Sequence, residues 1–506
     1  MTKPLPGKPV SLWIDTASHV TYPTLLPDLE VDAVVAGGGI AGLTAAILLK
    51  EAGKSVAVIE AGRIGTGVTG HTTGKVSSLH QLAYQGIRKG HGREGARIYG
   101  EANEAGLERV AELIERHQIE CDFARAPNFT YAESEEHLDA VKQEAELTHK
   151  LGLPASFTKE VDLPYPVAGA VRFENQARFN ATKYLRGLAE AVNGDGSYVF
   201  EETRALDVDS GQPCVVKTDK GTIRAKKVFV ATNVPFLDRG LFFARSHPHR
   251  SYLIATKLKT ALPSGMYISA DEPLRSILPI KVDREEYLLV GGEGHKTGHG
   301  GDITERYRRL EAFARERFDV AEVTHRWATQ DGIPVDGVPY IGKLTPFSKH
   351  IFVATGFRKW GLTNGTVAGI IVSDAIVGRE NAWAKVFDSN RIKPLAGGKK
   401  FILENVDTGF RYVKDRLGGG GVTLQDLAEG EGKVLKLKGQ GKVAAYKDDD
   451  GTVHAVSAVC THLSCIVDFN NAERTWDCPC HGSRFGVDGK VIQGPAVEDL
   501  EAKKVS

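Results

Sequence analysis

Two short segments near the C-terminus carry the residue types that hold a metal centre. Residues 460–465 read Cys-Thr-His-Leu-Ser-Cys and residues 478–483 read Cys-Pro-Cys-His-Gly-Ser; we call them box one and box two. Two thiolates and two imidazoles can hold a [2Fe–2S] cluster, with the thiolates on one iron and the imidazoles on the other. A zinc knuckle is the alternative, but zinc held by two cysteines and two histidines leaves two of the four cysteines unused. The ligand count therefore favours the iron–sulfur cluster.

The doubled boxes resemble the Rieske proteins of the cytochrome bc complexes, in which each cluster loop carries an additional cysteine. The resemblance implies that the cluster ligands are Cys460, His462, Cys478 and His481. It also implies a disulfide between Cys465 and Cys480 that clamps the two cluster loops. Residues 494–496, Gly-Pro-Ala, match the proline loop that shields such a cluster from water.

Two residues in and after box two bear on the reduction potential of this cluster. In the resembled family, the position of Ser483 carries a serine whose hydroxyl hydrogen-bonds a bridging sulfur. Phe485 occupies the position of a tyrosine whose hydroxyl bonds a ligand cysteine. Hydrogen bonds to sulfur stabilise the reduced cluster. The loss of one therefore predicts a potential below the top of the Rieske range, which spans about −150 to +300 mV.

A dinucleotide-binding fingerprint occupies residues 31–60. An apolar strand runs into Gly-Gly-Gly-Ile-Ala-Gly, a helical segment follows, and a second apolar strand ends at an acidic residue. Gly37 makes the tight turn, Gly39 admits the pyrophosphate and Gly42 lets the helix pack on the strand. Glu60 suits a ribose hydroxyl. We therefore expect phosphates at the helix N-terminus, where unpaired N–H groups and the helix dipole favour anions.

The segment after this fingerprint distinguishes FAD from NAD. Residues 61–63 and 66–75 resemble the glycine-oxidase and sarcosine-oxidase family of D-amino-acid-oxidase-like flavoproteins, and the resemblance extends over about residues 31–378. No second Gly-x-Gly-x-x-Gly follows a strand elsewhere, which disfavours a ferredoxin-reductase architecture with a separate nucleotide fold for NAD(P)H. The resemblance implies FAD and assigns to it Gly37, Gly39, Ile40, Ala41, Gly42, Glu60, Ala61, Val68, Thr69, His71, Thr73, Gly74, Lys75, Ala205, Ala231, Thr232, Gly356, Lys359, Trp360, Gly361, Leu362 and Thr363.

His71 has two interpretations. In the dimethylglycine and sarcosine dehydrogenases of the resembled family, a histidine at this position is bonded covalently to the flavin. The alternative is a histidine that hydrogen-bonds phosphate or backbone. A yellow band that survives denaturing gel electrophoresis would indicate the covalent bond, and a colourless band would exclude it.

The substrate side departs from the resembled family at one position. Residues 336–342 match the family's Asp-Gly-x-Pro-x-Ile-Gly turn, and amino-acid-oxidising members place an arginine five residues before it to pair with the substrate carboxylate. Here that position is Asp331, which would repel a carboxylate and attract a cation. We therefore predict an amine without a carboxylate at that point, or a substrate bound in another orientation. A structural aspartate that caps a turn is the alternative.

The resemblance places the loop at residues 357–363, and the helix expected after it, at the pyrimidine edge of the flavin. Hydride arriving at N5 leaves negative charge at N1 and at the C2 oxygen. Backbone N–H groups, the helix dipole and Lys359 would stabilise that charge. Lys359 and Asp331 are therefore the predicted catalytic residues.

The chain length of 506 residues predicts two or three domains. We expect an α/β FAD-binding Rossmann-like domain with an interleaved antiparallel-sheet substrate domain, followed by a C-terminal all-β Rieske domain. The predicted boundaries are residues 1–398 for the FAD-dependent oxidoreductase domain, 399–421 for a helix and Gly-rich linker, and 422–506 for the Rieske domain.

Composition excludes several classes of protein. The chain has 64 basic and 64 acidic residues, so it shows no electrostatic footprint for nucleic acid. It has no apolar run long enough to span a bilayer, and its N-terminus lacks the apolar core of a secretory signal. Six cysteines, four of them in the boxes, do not describe a secreted disulfide scaffold. We therefore expect a cytoplasmic location.

Together these patterns predict an oxidoreductase that oxidises a C–N bond with FAD. Electrons would pass singly through the cluster to an external acceptor protein or quinone. A reductase running from cluster to flavin, or a redox-sensing module without its own substrate, is the alternative. A Rieske non-haem oxygenase is disfavoured, because no helix carries the two histidines and one carboxylate of its iron site.

Overall fold

The computed structural model describes residues 4–18, 20–25, 28–299, 301–392, 423–437 and 439–504. The helix expected within residues 399–417 and the glycine run at 418–421 lie outside the described residues. Within the described part, no helix combines the length and the apolar character needed to cross a membrane.

The first sheet is parallel at its centre. Its strands, in order across the sheet, are Ala205–Asp209, Cys214–Thr218, Thr222–Val230, Leu29–Ala36, Val56–Ile59 and Tyr198–Phe200; Ile351–Thr355 also pairs with Thr222–Val230, and Tyr340–Lys343 pairs with Ile351–Thr355. The central strand Leu29–Ala36 runs parallel to both of its neighbours. Val34, Val35 and Ala36 are fully buried. An uninterrupted apolar end suits a parallel strand covered on both faces.

Helices pack against both large sheets; Ile303–Arg317 and Glu135–Lys150, for example, lie on strands of the second sheet described below. The helices are Leu12–Asp15, Ile40–Glu51, Ala83–Arg116, Glu135–Lys150, Ala181–Val192, Phe242–Arg245, Ile303–Arg317, Gly361–Val377 and Ala384–Phe387, with 3-10 turns at Val68–His71, Asp238–Gly240 and Leu424–Asp426. The helices Ile40–Glu51 and Gly361–Val377 approach closely, because a Cβ atom on Gly369 would lie 2.7 Å from the Cβ of Thr44. This contact fixes both helix N-termini at the same edge of the sheet.

The second sheet is mainly antiparallel. Its strands, in order, are Val320–Pro334, Ser246–Leu258, Glu285–Lys296, Arg275–Val282, Met266–Ser269, Asn128–Ala132, Gly169–Phe173 and Ala155–Thr158. Short strands at Lys75–Val76, Ala177–Arg178 and Ala124–Arg125 form a separate small sheet. Because segments of the two large sheets alternate along the chain, the expected interleaving of an α/β unit with an antiparallel unit is confirmed.

The C-terminal part is all-β, as predicted. One antiparallel sheet contains Gly432–Leu437, Gly441–Lys447 and Val453–Ser457, and the other contains Asp468–Asn470, Thr475–Asp477, Arg484–Gly486 and Val491–Gln493. Box two connects Thr475–Asp477 to Arg484–Gly486. Trp476 and Phe485, on these two strands, are fully buried. The cluster boxes are therefore loops anchored on a small apolar core.

Candidate active site and metal centre

A cavity of about 810 Å³ collects most of the residues predicted to bind FAD. Its wall contains Gly37, Gly39, Ile40, Ala41, Glu60, Ala61, Val68, Thr69, His71, Thr73, Lys75, Ala205, Ala231, Thr232, Lys359, Trp360, Gly361 and Leu362. Four of the predicted residues are absent from this wall, namely Gly42, Gly74, Gly356 and Thr363. Asp331, the predicted substrate-side carboxylate, also lines the cavity.

The glycines of the fingerprint have the geometry that close approach requires. Gly37 has a φ of 115° and donates its N–H to the carbonyl of Ile59 at 2.8 Å. A Cβ atom on Gly42 would lie 1.9 Å from the carbonyl oxygen of Gly37, so the turn and the helix can pack only around a glycine. Gly39 caps the helix Ile40–Glu51 without a side-chain hydrogen bond. The N–H of Ile40 reaches Thr69 Oγ1 only at 3.4 Å, a long contact that leaves the helix N-terminus accessible to an anion such as a pyrophosphate.

The carboxylate of Glu60 holds the glycine-rich turn predicted to bind the pyrophosphate. It accepts the N–H of Gly38 at 2.8 Å and the N–H of Gly62 at 2.9 Å. Burial raises the pKa of this carboxyl group, and the two N–H donors oppose that rise. Its expected contact with a ribose hydroxyl stays a prediction.

His71 lies at the end of the 3-10 turn Val68–His71, on the cavity wall. Its Nδ1 lies 2.8 Å from the carbonyl oxygen of Gly67, and because a carbonyl can only accept, Nδ1 carries the proton. The indole N–H of Trp327 donates to the backbone carbonyl of His71 at 3.0 Å. Burial lowers the pKa of the imidazole, which favours the neutral ring. His71 therefore makes a backbone hydrogen bond, as expected for a histidine that is not bonded to the flavin. The covalent bond to the flavin stays a prediction.

Asp331 and Lys359 are joined at the edge of the cavity. The two carboxylate oxygens of Asp331 accept the N–H of Gly332 at 2.8 Å and the N–H of Lys359 at 2.6 Å. Lys359 has a φ of 68°, a left-handed conformation that this hydrogen bond helps to hold. Burial raises the pKa of Asp331 to about 6 and lowers the pKa of Lys359 to about 8. The Asp331 carboxylate therefore caps the loop that carries Lys359, as the turn-capping alternative predicts, and its attraction for a cationic substrate stays a prediction.

The cavity wall also contains residues that the sequence did not indicate, among them His249, Glu272 and Gln330. His249 pairs with Asp331 across the antiparallel strands, and burial lowers the pKa of its imidazole to about 2. A Cβ atom on Gly294 would lie 2.6 Å from His249 Cε1 and 3.1 Å from Lys359 Nζ, so both side chains converge there. The histidines at positions 247 and 249 share one face of a strand, and this alternation in the sequence could have indicated that both line the cavity.

Box one and box two bring the four predicted cluster ligands together. Cys460 and Cys478 are buried free thiols. A hydrogen bond between the two thiols lowers the pKa of Cys460 and raises that of Cys478. The rings of His462 and His481 are 5.1 Å apart. The Nδ1 atoms of both rings are buried without a hydrogen-bond partner. Two adjacent thiols and two unpartnered imidazole nitrogens fit the donor set of a Rieske cluster.

The surroundings of the cluster loops also follow the resemblance. Cys465 and Cys480 form a disulfide, with their Cα atoms 6.5 Å apart. Ser483 Oγ accepts the N–H of Ala496 at 3.0 Å, which ties the proline loop to box two. The same hydroxyl hydrogen-bonds Cys460 and contributes to lowering the pKa of that thiol.

The C-terminal unit packs directly against the cavity. Its residues Glu473, Arg484, Ile492, Gln493, Gly494, Pro495, Ala496 and Val497 form part of the cavity wall. Glu473 makes an ion pair with Arg250 of the second sheet, whose side chain is 1% exposed. Gln330 Nε2 donates to the carbonyl of Gly482 in box two at 2.7 Å. The cluster loops are therefore neighbours of the predicted flavin site.

Comparisons with known proteins agree with these two parts. Residues 32–375 match the family model DAO, FAD dependent oxidoreductase, and residues 422–504 match the Rieske [2Fe-2S] domain. The chain is 35% identical over 495 residues to YhfW of Bacillus subtilis strain 168, named as a Rieske 2Fe-2S iron-sulfur protein, covering 97% of each chain. It is 25% identical over 419 residues to the gamma-glutamylputrescine oxidoreductase of Escherichia coli K12, covering 79% of this chain and 96% of that protein.

Solved structures show the same fold for the first part. The crystal structure of glycine oxidase from Geobacillus kaustophilus superposes with a TM-score of 0.62 at 21% identity, covering 72% of this chain and 99% of that chain. The L-proline dehydrogenase of P. horikoshii gives a TM-score of 0.60 over 72% of this chain and 98% of that chain, also at 21% identity. The chain belongs to the FAD-dependent oxidoreductase family of the DAO type and carries FAD together with a C-terminal Rieske domain that binds a [2Fe–2S] cluster.

Proposed function

We propose that the chain oxidises a C–N bond of an amine or amino-acid-like substrate by hydride transfer to FAD. In this proposal, electrons pass singly to its own Rieske cluster and then to an external acceptor protein or quinone. FAD supplies both two-electron and one-electron chemistry, which is the reason to pair it with a one-electron carrier. The single observation that carries the proposal is the shared wall of the cavity, to which both the oxidoreductase part and the C-terminal unit contribute.

A short series of contacts connects box two with the predicted flavin loop. Gly482 accepts a hydrogen bond from Gln330, and Gln330 precedes Asp331 in the strand Val320–Pro334. Asp331 in turn accepts the N–H of Lys359. Two hydrogen bonds and one stretch of strand therefore separate the cluster loop from the loop expected at the flavin, which supports electron transfer within one chain.

The substrate class is inferred from the charges at the cavity. Asp331 stands where amino-acid-oxidising relatives are expected to have an arginine, and Glu272 adds a further carboxylate to the cavity wall near Lys359. The names of gamma-glutamylputrescine oxidoreductase and glycine oxidase denote proteins that act on an amine and on an amino acid. We infer a cationic amine whose charge is placed by these carboxylates.

The proposal also covers the organisation and location of the chain. We propose domain boundaries at residues 398 and 421, as the sequence predicts, and a cytoplasmic location. Because a route through the contacts around Gln330 would serve electron transfer in either direction, the alternative of a reductase running from cluster to flavin is an outcome of the test below.

The test is anaerobic mixing of the holoprotein with a panel of secondary and tertiary amines. Flavin absorbance and the low-temperature EPR signal of the reduced cluster are followed together. We expect one amine to bleach the flavin and the cluster signal to appear afterwards. If dithionite produces the cluster signal but no amine bleaches the flavin, the C–N chemistry is wrong and reductase partners become the candidates.

A variant at the contact between the two parts tests the route. Gln330→Met removes the donor to Gly482 while keeping an unbranched side chain of similar length. We expect the flavin to bleach as in the wild type and the cluster signal to appear more slowly. Gln440→Met is the control, because its amide donates to a backbone carbonyl, that of Lys504, on the exposed surface. Equal cluster kinetics in both variants would exclude Gln330 from the route.

A further inference from the structure

A carboxylate of the oxidoreductase part reaches a ligand of the cluster. Asp238 lies in the 3-10 turn Asp238–Gly240, and its Oδ1 is 2.9 Å from Nε2 of His462. The two residues are 224 positions apart in the chain. The side chain of His462 is 5% exposed and that of Asp238 is 46% exposed, so the contact lies at the rim of the interface.

The contact fixes the tautomer of the His462 ring. A carboxylate accepts hydrogen bonds, so the proton of the imidazole lies on Nε2, the nitrogen that faces Asp238. The other nitrogen, Nδ1, is buried without a partner and keeps its lone pair for iron. Carboxylate partners of this kind orient metal-binding histidines and increase the basicity of the ligand.

The second imidazole of the cluster has different surroundings. The ring of His481 lies 4.9 Å from the ring of Phe243, edge to face, and Phe243 also touches His462 at 5.7 Å. Within the described residues, no carboxylate hydrogen-bonds His481. The two histidine ligands are therefore unequal, since both contact Phe243 but only His462 bears an anionic partner.

We propose that Asp238 is a positioning residue of the cluster, which holds His462 in its ligand orientation and lowers the reduction potential. Its negative charge stabilises the oxidised cluster relative to the reduced one, because reduction adds negative charge nearby. The hydrogen bond acts in the same direction by making the imidazole a stronger electron donor. The inference depends on the presence of the cluster and is independent of the substrate proposed above.

The test is a mediated redox titration of the holoprotein, followed by EPR, on two variants. Asp238→Asn removes the charge and keeps an oxygen that can accept the hydrogen bond, so we expect a positive shift of the cluster midpoint potential. Asp238→Ala removes both, and we expect a larger positive shift with a lower iron content. Asp238→Glu keeps the charge and should restore both values toward the wild type.

A second aspartate near the same turn provides the control. Asp207→Asn changes an aspartate with 47% of its side chain exposed, which pairs with Arg239 of the same turn, and should leave the potential unchanged. Wild-type potentials in the Asp238→Asn and Asp238→Ala proteins, with full iron content, would overturn the proposal. If the Ala protein loses its cluster, the Asn protein decides alone. Because mediators and dithionite drive the titration, failure of the amine chemistry does not affect it.

Discussion

At the scale of single residues, burial decides the charge states along the cavity. Lys359 is held by the Asp331 carboxylate through its backbone N–H, while its ammonium group converges with His249 near Gly294. Desolvation lowers the pKa of Lys359 to about 8, and the carboxylates of Asp331 and Glu272 oppose that fall. The lysine is therefore a cation below about pH 8 and neutral above it.

Replacing Lys359 should change both the rate of flavin reduction and the pH dependence of that rate. We expect Lys359→Met to slow flavin reduction by about a hundredfold, comparable to the loss of one donor to a developing oxyanion. In the wild type, the rate should fall as the pH rises through about 8, because the ammonium group loses its proton. The Met variant should lack this fall. Stopped-flow reduction between pH 6 and 10 measures both, and exposed Lys349→Met is the control.

If the Lys359→Met protein still shows a fall in the rate of flavin reduction at alkaline pH, another group must cause that fall. His249 does not qualify, because burial lowers the pKa of its imidazole to about 2. Asp331 does not qualify either, because its raised pKa of about 6 lies on the acidic side. The pH of the transition therefore distinguishes Lys359 from His249 and Asp331. Lys75, on the same cavity wall, would be the remaining group, because burial lowers its pKa to about 7.

At the scale of structural elements, the strand Arg484–Gly486 and the loop before it set the environment of the cluster. Ser483 donates toward Cys460 and accepts from Ala496, whereas Phe485 is fully buried and brings no hydroxyl. We expect Ser483→Ala to lower the cluster potential, because a hydrogen bond that favours the reduced state is lost. Phe485→Tyr should raise it by adding such a bond. An EPR-monitored titration of the two variants should therefore give shifts of opposite sign.

Because the two expected shifts have opposite signs, a general loss of stability cannot explain both of them. A hydroxyl added in a filled core can cost about 1–3 kcal/mol of stability. Thermal unfolding of the Phe485→Tyr protein measures that cost separately from the potential. Shifts of the same sign in both variants would contradict hydrogen bonding to sulfur as the cause.

Sequence patterns indicate a helix where the spacing of apolar residues is regular, and fail to indicate it where glycines interrupt that spacing. In the helix Ala83–Arg116, apolar residues recur at regular helical spacing only from about residue 94 onward. Its first turns contain Gly86, Gly90 and Gly92, which dilute the apolar pattern, and Gly92 has a φ of 76° inside the helix. The fingerprint strand and the cluster boxes were predictable because their chemistry depends on short spacing.

At the scale of the whole molecule, contacts between distant segments were beyond prediction from sequence patterns. The residues of the pair Asp238 and His462 are 224 positions apart, and those of the pair Arg250 and Glu473 are 223 apart. No motif links them, because each pair arises only when the C-terminal unit packs against the cavity. The resemblance predicted both cofactors but not the residues that join their sites.

The ion pair between Arg250 and Glu473 gives the last prediction. Arg250 is almost fully buried, and Arg484 also reaches Glu473 at 3.3 Å. Removing one partner of a buried pair typically costs about 3–5 kcal/mol, because the other charge stays desolvated. We expect Glu473→Gln to weaken docking of the C-terminal unit and to slow electron transfer from photoreduced flavin to the cluster, measured by freeze-quench EPR. Glu501→Gln breaks the exposed pair with Lys503, made at 2.6 Å, and should change neither stability nor transfer. Wild-type transfer in the Glu473→Gln protein would mean that the other contacts suffice to hold the two sites together.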